Sequence, residues 1–433
     1  MGTYTAYDIP AVDAAIGSHM ACLTELCRSN LGNKLDSLVL SGSFGRGEGS
    51  VLIHEDGMVE PLRDYDVRII VKQPVPMEVV EHIRAEFMHQ TGLGGTEEHF
   101  SGEQGFSLTL EPLTLAQLAS TFVRDRDLRV FDHLHASRVI YGQDRSTSLR
   151  FDAHEIPKVN GLRFLYQKMI GLVGHFSGPE TAADTTRTLA YECDKTFIEI
   201  CTALVLLADR YVPSYQDRAA LFAQHWRTWF PELAQALPEL ADDIKRATEE
   251  KLRPGSTLRL SANDAFTRAR VALLEVHRFY LQQLYGVTVT ADLPGYRVVR
   301  KVLKRNYFMV AVTRYLTEHR LNSTPTRLAL NTIYHRLLRY KFAHGACRDG
   351  RRIMWESMRC DEAPPISIFL AAWCALAAID EPPRQGLLAH AETVLGRLPG
   401  TLSPITPYNS TWDHYAAVRN HILHAYSIWE KHR

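Results

Sequence analysis

The run Leu38-Val39-Leu40-Ser41-Gly42-Ser43 carries an apolar stretch straight onto a small-residue turn, and a second apolar run, Tyr65 to Val71, follows it. Two aspartates, Asp64 and Asp66, stand one residue apart at the start of that second run. Side chains alternate faces along a strand, so the two carboxylates point the same way, about 7 Å apart along the backbone. They repel each other unless a cation lies between them. An oxygen-only ligand set with room for water and phosphate suits Mg²⁺, with Mn²⁺ as a substitute. Gly42-Ser43 lets backbone approach an anion closely with its N–H groups aimed inward. A phosphate cradle beside metal-binding carboxylates is the equipment of phosphoryl or nucleotidyl transfer. The competing reading is a pair of exposed acids at the start of a strand.

Around this pair the first third of the chain alternates between element types. Apolar positions at Val12, Ala15, Ile16, Met20, Leu23 and Leu26 predict a helix over 11–30. Strands are expected over 36–41 and 65–71, with 53–61 as a hairpin or loop insertion between them. A helix over 77–90 should break at Thr91-Gly92-Leu93-Gly94-Gly95. Phe106 to Leu110 alternates as a strand that Pro112 should end. Helices over 114–122 and 126–137 and a short strand over 139–142 complete the unit. From about residue 155 the periodicity is helical almost throughout. The expected fold class is therefore α+β: a small mixed-sheet domain followed by a large all-helical region. We place domains at 1–145, 146–290 and 291–433.

The chain has 433 residues, 45% of them hydrophobic, and a formal net charge of zero, so ample cores are available and broad non-specific binding to nucleic acid is not expected. Its seven cysteines are scattered without a Cys-x-x-Cys pair, which fits reduced thiols in the cytoplasm. The N-terminus shows no charged start followed by an apolar core, so a signal peptide is not expected. The most apolar segment, Ile366 to Ile379, is shorter than the roughly 20 residues of a membrane span and reads as a buried helix.

Gly42-Ser43 followed by Asp64 and Asp66 resembles the nucleotidyltransferase superfamily whose best-known member is DNA polymerase β. There a strand ends in Gly-Ser or Gly-Gly, and Asp-x-Asp follows on the next strand. The interval from Ser43 to Asp64 is longer here than is usual. Gly45-Arg46-Gly47-Glu48 is similar to a run in protein-modifying uridylyltransferases of that superfamily. The resemblance implies a polymerase-β-like catalytic domain that moves a nucleoside monophosphate from an NTP to a hydroxyl, with pyrophosphate as the other product. It implies Gly42, Ser43 and Arg46 at the phosphates. A third acid on a neighbouring strand would serve the metal and take the acceptor proton. Glu111, on the polar face of the strand with Ser107 and Thr109, is the candidate.

Tyr191-Glu192-Cys193-Asp194-Lys195-Thr196 and Tyr211-Val212-Pro213-Ser214-Tyr215 resemble segments of poly(A) polymerases, terminal uridylyltransferases and oligoadenylate synthetases. By that resemblance Lys195 and Ser214 grip the triphosphate and Tyr215 stacks on the base. The bland readings are a solvated lysine and a serine capping a helix. Asp125-Arg126-Asp127 mimics the acidic pair but falls in a helical window, and His133 with His135 are poorly spaced for zinc. A basic stretch with interleaved tyrosines, from Arg297 to Arg352, leaves a nucleic-acid acceptor open. A small hydroxylated acceptor is the first expectation and no membrane partner is expected. RNA tailing, cyclic-nucleotide formation, protein modification and a non-catalytic nucleotide-binding scaffold are the alternatives.

Overall fold

In a computed structural model the described residues are 2–62, 64–93, 106–118, 127–146, 149–179, 183–256, 260–306, 324–346, 363–379, 384–398 and 408–431. They show an α+β chain with a small mixed sheet and many helices. Two compact units emerge. The first comprises Met1–Asn160, Leu204–Trp229 and Glu239–Arg259, and the second Gly161–Ala203, Phe230–Pro238 and Leu260–Arg433. Two helical segments thus return to the sheet-bearing unit from within residues 146–290.

The sheet of the first unit has the order β5-β4-β1-β6, with β1 (Leu35–Ser41), β4 (Tyr65–Val71), β5 (Leu108–Thr114) and β6 (Arg138–Tyr141). β1 runs antiparallel to β4 and β6, whereas β4 and β5 are parallel. One face is covered by α1 (Pro10–Leu31) and α3 (Met77–Thr91). Pro10 opens α1 where a missing N–H costs nothing, and Val12, Ile16, Met20, Leu23, Cys27 and Leu31 recur at helical spacing and are all buried. They close over Leu38 and Leu40 of β1, Val67 and Ile69 of β4, and Val80, Ile83 and Phe87 of α3. Removing a buried ring such as Phe87 from such a core costs about 3–5 kcal/mol.

The excess residues before β4 fold back as a hairpin of β2 (Val51–Ile53) and β3 (Val59–Pro61). Pro112 does not end its strand, which runs on to Thr114. β5 lies at the sheet edge, and an edge strand tolerates a residue without an N–H to donate. Of the expected helix over 114–122, residues 115–118 are helical and 119–122 lie outside the described residues, as do Asp125 and Arg126. Asp127 caps α4 (Leu128–Ala136), its carboxylate accepting from the Val130 N–H at 2.9 Å.

Among the described residues of the second unit every regular element is a helix. At its centre the helix Pro364–Ala378 is buried at every position, as its unbroken apolar sequence requires. No helix among the described residues is long and apolar enough to cross a membrane.

Candidate functional site

The sheet of the first unit ends one strand at the small-residue turn. Ser41, the last residue of β1, pairs with Asp66 on β4. Gly42 follows with φ +66°, and a Cβ built on it would stand 2.5 Å from Asp66 Oδ2. Only glycine meets both demands. The chain then makes a single turn, α2 (Gly42–Gly45), which Phe44 anchors from below. The Phe44 ring is fully buried and meets Tyr65 edge-on, with ring centroids 4.7 Å apart. Tyr65 sits between the two aspartates in sequence, so turn and acidic strand share one packed contact.

Along β4 the alternation is clean: Tyr65, Val67 and Ile69 are buried, while Asp64, Asp66 and Arg68 are half-buried on the opposite face. Thr109 lies level with Asp66 on β5, and Glu111 lies level with Arg68. Glu111 therefore shares the acidic face but stands one pair further along, where it accepts a 2.8 Å bond from Arg68 Nε. Behind Ser41, the His133 side chain of α4 is buried, with Nδ1 2.8 Å from the Ser41 hydroxyl. Burial, and then the Arg68 charge, push the His133 imidazole down to about 3, against a weaker opposing pull from Asp144. The ring is neutral at physiological pH.

On its other side the turn runs into an internal polar network. Glu48 is completely buried. Its Oε1 accepts from the Ser214 hydroxyl (2.9 Å) and the Gln216 N–H (3.0 Å), and its Oε2 from the Tyr215 N–H (2.9 Å) and Arg46 Nε (3.3 Å). The carboxylate thus occupies the N-terminus of the helix Tyr215–Trp229. Ser214 caps that helix, its oxygen accepting from the Asp217 N–H at 3.0 Å. The Arg46 guanidinium also reaches Asp132, at 3.4 Å, and lies over the Tyr215 ring, 4.6 Å from its centroid. Asp132 accepts from the Tyr211 hydroxyl (2.7 Å), which accepts from Arg218 (2.8 Å). The Arg218 guanidinium lies 4.8 Å from the Tyr215 centroid.

The structure thus brings Gly42, Ser43, Asp64 and Asp66 together at one end of the sheet, and draws Arg46, Ser214 and Tyr215 into the network around Glu48. Lys195 belongs to the second unit, on the helix Ala183–Leu207. There it stands one turn after Glu192, a buried carboxylate ion-paired to Lys168 at 2.6 Å. Burial opposes the Glu192 charge, but Lys168 first, then His175 and Lys195, hold its pKa below the usual carboxylate range. Asp132, Tyr211 and Arg218 are network members that sequence reasoning missed, since Asp132 meets Tyr211 across 79 residues and Arg46 across 86.

The donor set at Asp64 and Asp66 fits Mg²⁺, which is usually held by one or two carboxylates with water and substrate phosphate completing its shell. Among the described residues no cluster of three or more histidine, cysteine, aspartate or glutamate side chains forms a metal site. The network around Glu48 is a different kind of arrangement, a carboxylate saturated by protein donors.

No protein-family model matches the sequence, and no curated protein matches it either. Among solved structures, spectinomycin adenyltransferase AAD(9) from Enterococcus faecialis, crystallised with ATP and spectinomycin, is similar at 11% identity. The match covers 60% of this chain and 98% of that one, with a TM-score of 0.36. At that level of superposition neither fold nor function transfers from one chain to the other.

Proposed function

We propose that the first unit is a polymerase-β-like catalytic domain that moves a nucleoside monophosphate from a nucleoside triphosphate to a hydroxyl of a small molecule. The observation that carries this reading is the fit of Gly42 against Asp66, where a Cβ would stand 2.5 Å from the carboxylate oxygen. The half-buried start of the turn and a same-face aspartate pair are thereby held at one point. Asp64 and Asp66 would hold Mg²⁺, which supplies charge stabilisation at the phosphates. The Gly42 and Ser43 N–H groups and the Ser43 hydroxyl receive phosphate oxygens. An acceptor oxygen bonds to the α-phosphorus while the bond from that phosphorus to the bridging oxygen breaks. Pyrophosphate leaves with the bridging oxygen, and the acceptor proton passes to solvent. A formal net charge of zero favours a small acceptor over a polyanion gathered by long-range charge.

A second reading, a nucleotide-binding scaffold without catalysis, is favoured by the pairing of Glu111 with Arg68, which leaves two acids at the turn. The test is pyrophosphate release from ATP, GTP, CTP and UTP with Mg²⁺ or Mn²⁺ over a panel of hydroxylated small molecules. Asp64→Asn and Asp66→Asn should each lower the rate on the order of a thousandfold. Calorimetry with Mg²⁺ and each triphosphate runs beside it. Binding without release selects the scaffold, and neither binding nor release from the wild-type chain sinks both readings.

A further inference from the structure

The N-terminus of a helix is a ready seat for an anion, because its first N–H groups are unsatisfied and its dipole favours negative charge. The helix Tyr215–Trp229, preceded by Ser214, has the features of a phosphate seat, yet its seat is taken. The Glu48 carboxylate accepts from the Tyr215 and Gln216 N–H groups at 2.9 and 3.0 Å and from the Ser214 hydroxyl at 2.9 Å. Meanwhile the Glu48 N–H donates to the Ser43 carbonyl at 2.8 Å, and Arg46 N–H to the Gly42 carbonyl at 3.3 Å. One residue therefore grips the helix with its side chain and the phosphate turn with its backbone.

We propose that Glu48 is the internal anion of this helix and a positioning residue for the Gly42-Ser43 turn, and that it closes Ser214 to the nucleotide. The inference rests on the catalytic reading above for its effect on turnover. Its effect on the turn stands without it. Three features of the network support it. Glu48 is completely buried, so no substrate phosphate reaches the helix end without expelling it. Arg46 balances its charge at 3.3 Å and is itself tied to Asp132, so the turn is braced from two sides. The Tyr215 ring lies under the Arg46 and Arg218 guanidiniums, at 4.6 and 4.8 Å. Tyr215 thus serves as a stacking platform for the protein's own cations rather than for a base.

The experiment uses the full chain as wild type, Glu48→Ala, Glu48→Gln and Asp66→Asn, with and without formate, a carboxylate small enough for the vacated seat. Amide exchange over residues 42–49 reads the turn, and kcat and KM for the triphosphate read turnover. Glu48→Ala should speed exchange at Arg46 and Gly47, whose N–H groups are bonded to the Gly42 and Phe44 carbonyls, at least about tenfold, and should lower kcat about a hundredfold, the loss expected from a displacement near 1 Å. Formate should restore both in Glu48→Ala and neither in Asp66→Asn. Should Glu48→Ala fail to fold, Glu48→Gln replaces it. That variant keeps an amide oxygen for the helix N–H groups but loses the charge opposite Arg46, and it should show the same changes in smaller degree.

Unchanged exchange at the turn in a folded variant overturns the proposal. So does a triphosphate KM lower in Glu48→Ala than in wild type, because the seat would then be a phosphate site that Glu48 merely blocks. If the wild-type chain neither binds nor turns over triphosphate, the catalytic reading fails alone. The exchange and formate arms still decide the role of Glu48.

Discussion

Glu48 in the first unit and Glu192 in the second are both buried carboxylates, and they are stabilised in opposite ways. Glu192 faces Lys168 across 2.6 Å, between two helices, and draws further on the charges of His175 and Lys195. Its partners are side chains, and Gly171 leaves it room, since a Cβ there would stand 2.0 Å from Oε1. Glu48 instead takes two backbone N–H groups, a hydroxyl and one guanidinium nitrogen. A side-chain pair neutralises a charge but fixes only two rotamers. A carboxylate shared among backbone donors fixes where one piece of chain runs relative to another. The second arrangement is the one found beside the turn that must meet Asp66.

The largest effect expected from this contrast is in the second unit. Lys168→Met strands the Glu192 charge and should cost about 3–5 kcal/mol in chemical denaturation. Adding Glu192→Leu should return much of that, since a buried pair replaced as a whole is often neutral. A double variant as unstable as the single one would mean that Lys168 contributes packing rather than charge balance.

Next comes Gly42→Ala, which strikes the first unit at its proposed catalytic end. The positive φ alone costs about 1–2 kcal/mol for a residue with a Cβ, and the methyl must push Asp66 aside. We expect turnover to fall about a hundredfold while the chain stays folded. Gly57 has φ +84° and open space around it, so Gly57→Ala carries the backbone cost without the collision. Equal losses of activity in the two variants would separate the turn from the acid.

Both units also bury a neutral histidine. His133 meets the Ser41 hydroxyl at 2.8 Å, and His277 meets the Tyr166 hydroxyl at 2.7 Å. Burial pushes each down to about 3 from 6.5, with the Arg68 charge adding to the effect at His133. Above pH 6.5 neither ring is protonated, folded or unfolded, so stability is flat there. Below it the unfolded chain takes up protons that the folded one refuses. Stability then falls by about 1.4 kcal/mol per pH unit for each ring until the folded value is reached. At pH 5 each should have lost about 2 kcal/mol. His133→Gln should flatten the response of the first unit alone, and His277→Gln that of the second. Hydrogen exchange resolved by segment between pH 7 and 5 measures both.

These features were unequally legible in the chain. The alternation around Asp64 and Asp66 is a period-2 pattern carried by adjacent residues, so their shared face needed no tertiary information. The helix at Pro10–Leu31 was readable for the same reason, at its own period. Arg46 and Ser214 each have a near partner, Glu48 two residues on and the Asp217 N–H three residues on, but the contacts that draw them into one network are remote. Ser214 meets Glu48 across 166 residues, and Arg46 meets Asp132 across 86. Capping was among the readings open for Ser214, but the anion that came with it was invisible. Pro112 misled in the other direction: a strand interior forbids proline, but the rule relaxes at an edge, and edge status belongs to the sheet rather than to the strand.

The smallest effect expected is at Glu111, and it bears on how many acids serve the turn. Its carboxylate is half-exposed and accepts from Arg68 at 2.8 Å, a surface pair of the kind worth about 0–1 kcal/mol. Its register partner is Arg68 and not Asp66, which places it one pair beyond the acid nearest Gly42. Glu111→Gln keeps an oxygen for Arg68 and should change stability by less than about 1 kcal/mol. Turnover should fall by less than about threefold, against a loss on the order of a thousandfold in Asp66→Asn. A loss in Glu111→Gln as deep as that of Asp66→Asn would make Glu111 a third catalytic carboxylate, swung away from Arg68 when substrate binds. The Thr109 position, level with Asp66, supplies the converse arm. If two acids suffice, Thr109→Asp adds a like charge beside Asp66 and lowers activity. If the centre lacks an acid, the same substitution raises it.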